Sequence, residues 1–449
     1  METFILDDIL ARVRSALERD DIAGAAGILE ALRPPDQADI FGELNDKDQV
    51  TLLPELNPAD SADILEKMHD QDAAELVAFL HSDTVIRIVD EMEPDEAADL
   101  LGDLRPDQAR TVLAGLEDSE EVRPLLLHPD ETAGGLMTSE FLAFRRKMTA
   151  REAIQAIRRW EPEAEEIYYL FVVDRNNVLS GVISLRQLIV ADPASRLEEI
   201  MDPDVISVHA GADQEECARL MSRYDLLALP VVDAGNRLLG VVTVDDMVDV
   251  LVDEATEDIQ RLGGAQPLAR SYLNTSFLLI ARKRIGWLLL LFLTATLTGS
   301  VMRLFEDELQ SMVALAIFIP LLIGTGGNAG SQTTATVIRA AAVGDVDFGD
   351  ALRVWAHELK IGIVLGLAMA LVAYLRAITW DPNLSLALTV ATSILGIVLW
   401  ATGVGALLPL IASRLRIDPT VVSGPVMSTL VDATGLFIYF TIARMMLGL

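Results

Sequence analysis

Cysteine is nearly absent: Cys217 is the only one in 449 residues. No intrachain disulfide can form, which suits a reducing compartment. The five histidines, His69, His81, His128, His209 and His357, are scattered. No Cys/His cluster therefore offers a structural zinc site. Basic charge is scarce in the first half. Residues 271–449 hold 11 of the 35 Lys+Arg and 10 of the 68 Asp+Glu, which leaves residues 1–270 with 24 and 58, a net of −34. That sign excludes nucleic acid as a partner. It attracts cations, and it repels itself until they neutralise it. The stretch Met1–Asp8 lacks the basic start and apolar core of a signal peptide. From residue 271 onward there is no nucleophile–base pair and no catalytic metal cluster, so an enzyme is not expected.

What is present from residue 271 onward is apolar. Runs near 285–305, 311–339, 355–378, 385–411 and 421–447 each exceed the roughly 20 residues that a bilayer needs. Arg282, Lys283 and Arg284 precede the first run, Arg339 and Arg353 flank the loop after the second, and Arg414 and Arg416 follow the fourth. This bias puts the acidic N-terminal half inside and the C-terminus outside. The second run is unusual. It carries Pro320, Gly324, Gly326, Gly327 and Gly330, and a polar row from Asn328 to Thr336. It lacks the third glycine and the Lys-Ser/Thr of nucleotide loops. Small residues that admit a close neighbour are one reading. A broken helix with a polar seam along a permeation path is the preferred one, since freed backbone groups are tolerated only against protein or a wet cavity. Asp432 lies in the middle of the fifth run with no basic residue within ten positions. An intramembrane carboxylate is a functional hypothesis by default, and its counter-charge here is expected to be an ion. Asp418, in Ile417-Asp-Pro419, is either a carboxylate at the cytoplasmic mouth or a cap for the fifth span.

The first 130 residues repeat. Leu32, Leu44, Leu56, Met68, Leu80, Met92, Leu104 and Leu116 recur every 12 positions. Two residues after each stands Pro34, Asp46, Pro58, Asp70, Ser82, Pro94, Pro106 or Asp118. Asp and Ser are read as caps and Pro as a first-turn residue. Nine after each anchor comes an apolar residue, Phe41 to Leu125. One short helix per period, stacked on its neighbours, predicts a superhelical solenoid. Asp95 and Asp99 share one helix face with Glu96 beside them, and Asp60 and Asp63 share another. A shared role for Asp95 and Asp99 in holding a hard divalent ion fits these spacings.

Residues 131–255 form a tandem. Leu136-Met-Thr is echoed by Ile200-Met-Asp, Phe171-Val-Val-Asp174 by Pro230-Val-Val-Asp233, and Gly181-Val-Ile-Ser184 by Gly240-Val-Val-Thr243. Each unit reads helix (Ala150–Trp160; Asp213–Tyr224), strand, turn, strand, helix, and the two units resemble a pair of CBS modules. Such modules fold against each other and often bind adenosine nucleotides, with a Gly-x-x-Thr/Ser-x-x-Asp run on ribose and phosphate. Gly240, Thr243 and Asp246 match that run, whereas Gln187 replaces the acid in the first unit. An acidic helix follows over 245–262. Asp246, Asp249, Asp253 and Glu257 form one stripe, and Val248, Leu251, Val252, Ile259 and Leu262 lie opposite. Gly263-Gly264 ends it.

Asp130-Glu-Thr-Ala-Gly-Gly-Leu-Met137, the CBS-like tandem, the acidic helix, Pro320-Leu-Leu-Ile-Gly-Thr-Gly-Gly-Asn328 and Asp432, in this order, resemble the MgtE family of magnesium channels over essentially the whole chain. The resemblance implies an all-α superhelical N domain (1–130), CBS modules at 131–196 and 197–252, a connecting helix (253–275) and a five-helix transmembrane pore domain (276–449). It implies a homodimer in the inner (plasma) membrane that imports Mg2+. Its path would use Asp432, Gly324, Thr325, Gly326, Gly327, Asn328, Ser331, Met427 and Ser428. Cytosolic Mg2+ would close it through Asp63, Asp95, Asp99, Asp213, Glu215, Asp225, Asp246, Asp249, Glu254, Glu257, Asp258 and Asp418. ATP at the CBS pair would meet Tyr169, Ser184, Arg186 and Leu226. Ser331 and Gly424 stand where some relatives have Asn, and Leu226 replaces an aromatic. Two other functions compete. One is transport of another divalent ion such as Co2+ or Ni2+, disfavoured because spans two and five have no His or Cys. The other is a membrane-tethered cation sensor that transports nothing.

Overall fold

The computed structural model describes residues 2–159, 169–268, 272, 275–422 and 424–448. It divides into two compact units, Met1–Asp253 and Glu254–Leu268 with Tyr272–Leu449.

The N-terminal repeat is a helical array. Helices Pro34–Gly42, Asp46–Leu52, Pro58–Glu66, Asp70–Val77, Ser82–Val89, Pro94–Asp103 and Pro106–Gly115 begin at the residues the period marks. Asp46, Asp70 and Ser82 are not caps, however. They are the first residues of their helices, behind Asn45, His69 and His81 in extended conformation. Carboxylates from elsewhere tie helix starts instead. Glu30 accepts the Asn57 N–H at 2.9 Å and Glu66 the Glu93 N–H at 3.0 Å, each from 27 residues upstream. Surface acids thus join alternate rungs. The apolar anchors close the core beneath: Phe41, Leu52, Leu53 and Ile64 are fully buried.

The tandem forms two three-stranded sheets, Ala143–Arg145 with Tyr169–Val173 and Leu179–Ser184, and Val208–His209 with Ala228–Val232 and Leu238–Thr243. Each has one parallel and one antiparallel pairing. The two echoed openings are exchanged between modules. Thr138 bridges to Val241 of the second sheet, and Asp202 bridges to Val182 of the first. Gly240 and Gly181 make room for this, because a Cβ there would meet Met137 Cγ at 2.6 Å and Met201 Sδ at 2.4 Å. The Ala133–Gly135 stretch is packed: Ala133 is fully buried and its N–H donates to the Ala212 carbonyl. The first module's helix spans Ala150–Ile157; Trp160, its expected end, lies outside the described residues.

The acidic helix runs Val244–Leu262 and ends at Gly264, whose φ of +72° favours glycine. Its apolar face is not buried as a stripe. Met247 and Val250 are buried, but Val248, Leu251, Val252 and Ile259 are exposed.

Among the described residues, five helices are long and apolar enough to cross a membrane: Phe277–Leu304, Ala314–Ala342, Ala351–Trp380, Leu384–Arg414 and Gly424–Leu447. Arg282, Lys283 and Arg284 lie inside the first helix rather than before it. The second is not broken either. Pro320 sits within a continuous helix, where it removes one backbone bond to the carbonyl four residues before it without ending the helix. Span four is the most enclosed, with Ile394, Ile397 and Ala401 fully buried against its neighbours. Glycines set the spacing. A Cβ on Gly362 of span three would meet Thr402 Oγ1 at 2.3 Å, and one on Gly366 would meet Leu395 Cδ1 at 2.7 Å.

The module exchange is testable. Gly240→Val should cost about 1–3 kcal/mol through overpacking against Met137, lowering the thermal midpoint of the soluble half. Gly211→Val, whose surroundings are open within 4 Å, should leave that midpoint unchanged in the same scan.

Candidate functional site

Spans two and five meet along small residues. A Cβ on Gly326 would stand 2.4 Å from Ile397 Cγ2 and 2.8 Å from Val431 Cγ1, and one on Gly330 would stand 2.6 Å from Met427 Cε. Gly327 faces Ser428, and the Ser331 and Ser428 hydroxyls are 3.4 Å apart. These glycines therefore serve the close approach of two helices. Asp432 follows Ser428 by one turn on span five and is half-buried. Among the described residues, none donates a hydrogen bond or forms an ion pair with it. Gly324 and Asn328 lie on the open side of span two, while the Thr325 hydroxyl turns back to the Leu321 carbonyl at 2.7 Å.

Sequence reasoning missed Glu358. It is buried on span three, and the Thr333 hydroxyl of span two donates to it at 3.2 Å. Its sequence signal was weak, because His357 and Lys360 beside it make it look like an interfacial acid, unlike Asp432, which has no basic residue near.

In the soluble unit the structure gathers Asp95, Asp99 and Asp246 with Glu93 and Glu96. Asp95 is 6% exposed, and its Oδ1 has no hydrogen-bond partner. Burial, then the charges of Asp246 and Glu93, raise its carboxyl well above the ordinary range. Glu96 rises strongly through burial and Asp95. Asp99 is pushed up to about 8 by burial and by Asp130 and Asp70, and Glu93 to about 7 by desolvation and by Glu66 and Asp246. Asp246 is raised by burial, against the stabilising Thr243 hydroxyl that donates to its Oδ2. Among the described residues, no three His, Cys, Asp or Glu side chains converge tightly enough to hold a metal ion as they stand. The donors are nonetheless all carboxylate oxygens, one of them orphaned and buried, which suits a hard dication.

A second group lies at the lower end of the acidic helix. Arg261 bridges Glu257 and Asp418. Asp418 also accepts the Thr420 N–H at 2.8 Å and hydroxyl at 2.6 Å, so it caps the turn before span five while pairing with Arg261. Asp258 is raised by burial, then by Asp418 and Glu254, with Arg339 opposing.

The remaining acids are dispersed. Asp63 lies on Pro58–Glu66, where its charge helps raise Glu66. Asp213 caps Gln214–Tyr224 by accepting the Glu215 N–H, and Asp225 ends that helix at φ 53°. Its 11 residues separate the two ends by roughly 16 Å. Asp249 is exposed. In the first module Tyr169 and Ser184 are register partners, Arg186 is exposed, and Ser184 is engaged in a mutual cap with Gln187. Leu226 packs against the core of the soluble unit.

Five apolar spans, an intramembrane carboxylate at a glycine seam and an acidic half built on a helical array and a CBS-type tandem define a membrane protein organised around cations. Residues 319–442 match the family described as MgtE, divalent cation transporter, residues 32–131 the MgtE intracellular N domain, and residues 133–193 and 197–253 the CBS domain. The magnesium transporter MgtE of Thermus thermophilus is 45% identical over 327 residues, covering 73% of this chain and 72% of that protein. Those of Enterococcus faecalis and Bacillus subtilis are 39% and 36% identical, with the same coverage. The chain belongs to the MgtE family. The crystal structure of the soluble part of a magnesium transporter superposes with a TM-score of 0.50 at 36% identity, over 56% of this chain and 99% of that one. The cytosolic domain of the Mg2+ channel MgtE in complex with ATP gives 0.51 at 39% identity, over 54% and 99%.

The raised carboxyls give stability a defined pH dependence. Their unfolded values, 3.8 for Asp and 4.5 for Glu, lie below folded values of about 8 for Asp99 and about 7 for Glu93. The folded state then holds more protons, so the penalty from Asp99 and Glu93 is absent below about pH 4 and develops as pH rises to about 8. In chelator, the thermal midpoint of the soluble half should fall across that window. Asp95→Asn should shallow the fall and raise the midpoint at pH 8.

Proposed function

We propose that the chain is a homodimeric magnesium channel of the plasma membrane that passes Mg2+ inward down its electrochemical gradient and is closed by cytosolic Mg2+. The observation that carries this reading is Asp432, an intramembrane carboxylate without a protein partner beside the seam of spans two and five. Magnesium is a hard ion that sheds water reluctantly. One carboxylate is little for it. A twofold axis supplies two, enough to hold a hydrated ion through its waters. Entry needs no pump, because a double charge gains about 4.6 kcal/mol per 100 mV of inside-negative potential. Spans two and five offer no His or Cys, which weighs against Co2+ or Ni2+. The N-terminal domains are cytoplasmic and the C-terminus outside on the charge bias of the loops.

The acids of the soluble unit are the sensor. Asp95, Asp99 and Asp246 would hold a dication, which supplies the positive charge their proximity lacks; Asp63, Asp213, Glu215, Asp225 and Asp249 would complete weaker sites. Glu254, Glu257, Asp258 and Asp418 act at the lower end of the acidic helix. With each site in the millimolar range, several acting together give a steep response. The register pair of Tyr169 with Ser184, followed by Arg186, supports an ATP-type nucleotide at the CBS pair, as in the ATP-bound relative.

Flux into proteoliposomes tests the pore. Asp432→Asn should abolish magnesium uptake while the purified protein stays folded and dimeric; uptake near wild type would remove Asp432 from the path. Limited proteolysis near Gly263-Gly264 tests the gate. Protection should rise cooperatively with magnesium, and potassium at equal ionic strength should not reproduce it.

A further inference from the structure

Span three buries one face along Glu358, Gly362, Gly366, Ala373 and Ala377. Four of these are small, and the two glycines let span four approach closely. Glu358 breaks the pattern. It is 8% exposed, and among the described residues its hydrogen-bonding partner is the Thr333 hydroxyl, itself 6% exposed. His357 and Lys360 flank it but are exposed, and neither pairs with it. The neighbouring Thr334 hydroxyl donates to the Gly405 carbonyl of span four at 3.3 Å. Two consecutive threonines of span two are thus fastened to two different helices. Thr333 lies seven residues after Gly326 and three after Gly330, so all three share a side of the same helix.

We propose that Glu358 is a positioning residue of the permeation path: by accepting the Thr333 hydroxyl it fixes the rotation of span two and with it the placement of Gly326, Gly327 and Asn328 beside the helix that carries Asp432. The inference rests on the pore reading above. A site that discriminates ions must be held to about half an ångström. The glycine contacts alone do not supply such a fix. They set how near two helices come and leave rotation about the helix axis to polar bonds, of which Thr333–Glu358 is a buried one and Ser331–Ser428 is long at 3.4 Å. A buried acceptor deprived of its donor also leaves a desolvated oxygen unsatisfied, so the bond is strongly directional in its effect. The carboxylate acts here as an acceptor; its charge is not what positions the helix.

The test uses the full chain in proteoliposomes, with magnesium and calcium flux measured separately and the thermal midpoint recorded for each variant. Thr333→Val and Glu358→Ala should each lower magnesium flux on the order of tenfold, and the double variant should be no worse than either, as for two partners of one bond. Both should narrow the preference for magnesium over calcium, which a loss of folded protein alone would not do. Glu358→Gln and Thr333→Ser, which keep an acceptor and a donor, should restore most of the flux and the preference. The proposal is overturned if Thr333→Val conducts like wild type, if the two single effects add, or if Glu358→Gln is as damaged as Glu358→Ala. A wild-type protein that carries no magnesium in these vesicles would overturn the pore reading itself.

Discussion

A carboxylate removed from water must find a proton, a donor or a cation, and one oxygen of Asp95 finds no hydrogen-bond donor among the described residues. Its Oδ1 is orphaned, Asp246 and Glu93 add like charge, and the whole group rises in pKa together. The solenoid and the CBS pair are therefore held in one unit against electrostatic opposition. Apolar anchors such as Phe41 and Leu125 and the exchanged module openings bear the load. Removing either would leave repulsion unopposed. Positive charge brought among these acids would turn that opposition into attraction.

The membrane unit solves the opposite problem. There, backbone satisfaction and close approach dominate, and charge is rare. Glycines at 326, 330, 362 and 366 bring helices together, and the few polar side chains turn inward, as Thr333 and Thr334 do, or back to their own backbone, as Thr325 does. Among the described residues, Asp432 has neither kind of partner.

Much of this was legible beforehand because it rests on spacing. The 12-residue period located the helix starts from Pro34 to Pro106, and apolar length located the five spans. Detail that depends on neighbours was not legible. Asp46, Asp70 and Ser82 look like caps, yet a helix start can be satisfied by a carboxylate 27 residues away, as Glu30 does for Asn57. Pro320 and four glycines read as a break, but neighbouring spans pack closely enough to keep the helix whole. Glu358 was invisible because one acid near a span's start resembles an interfacial residue until its burial is known. The resemblance gathered Asp95, Asp99 and Asp246 into one list with Asp213 and Asp225. The fold brings the first three together and sets the last two at opposite ends of one helix.

The exchanged openings of the CBS pair carry a consequence for how the domain is inherited and cut. A sequence boundary at residue 196 divides two look-alike modules, but each half would leave behind the segment that completes the other's sheet edge: Thr138 belongs with Val241, and Asp202 with Val182. Neither copy is a self-sufficient building block. A recombination event that swapped a single module would import one whose opening segment must fit a foreign sheet edge, so an exchange of the whole tandem disturbs fewer contacts than an exchange of half of it.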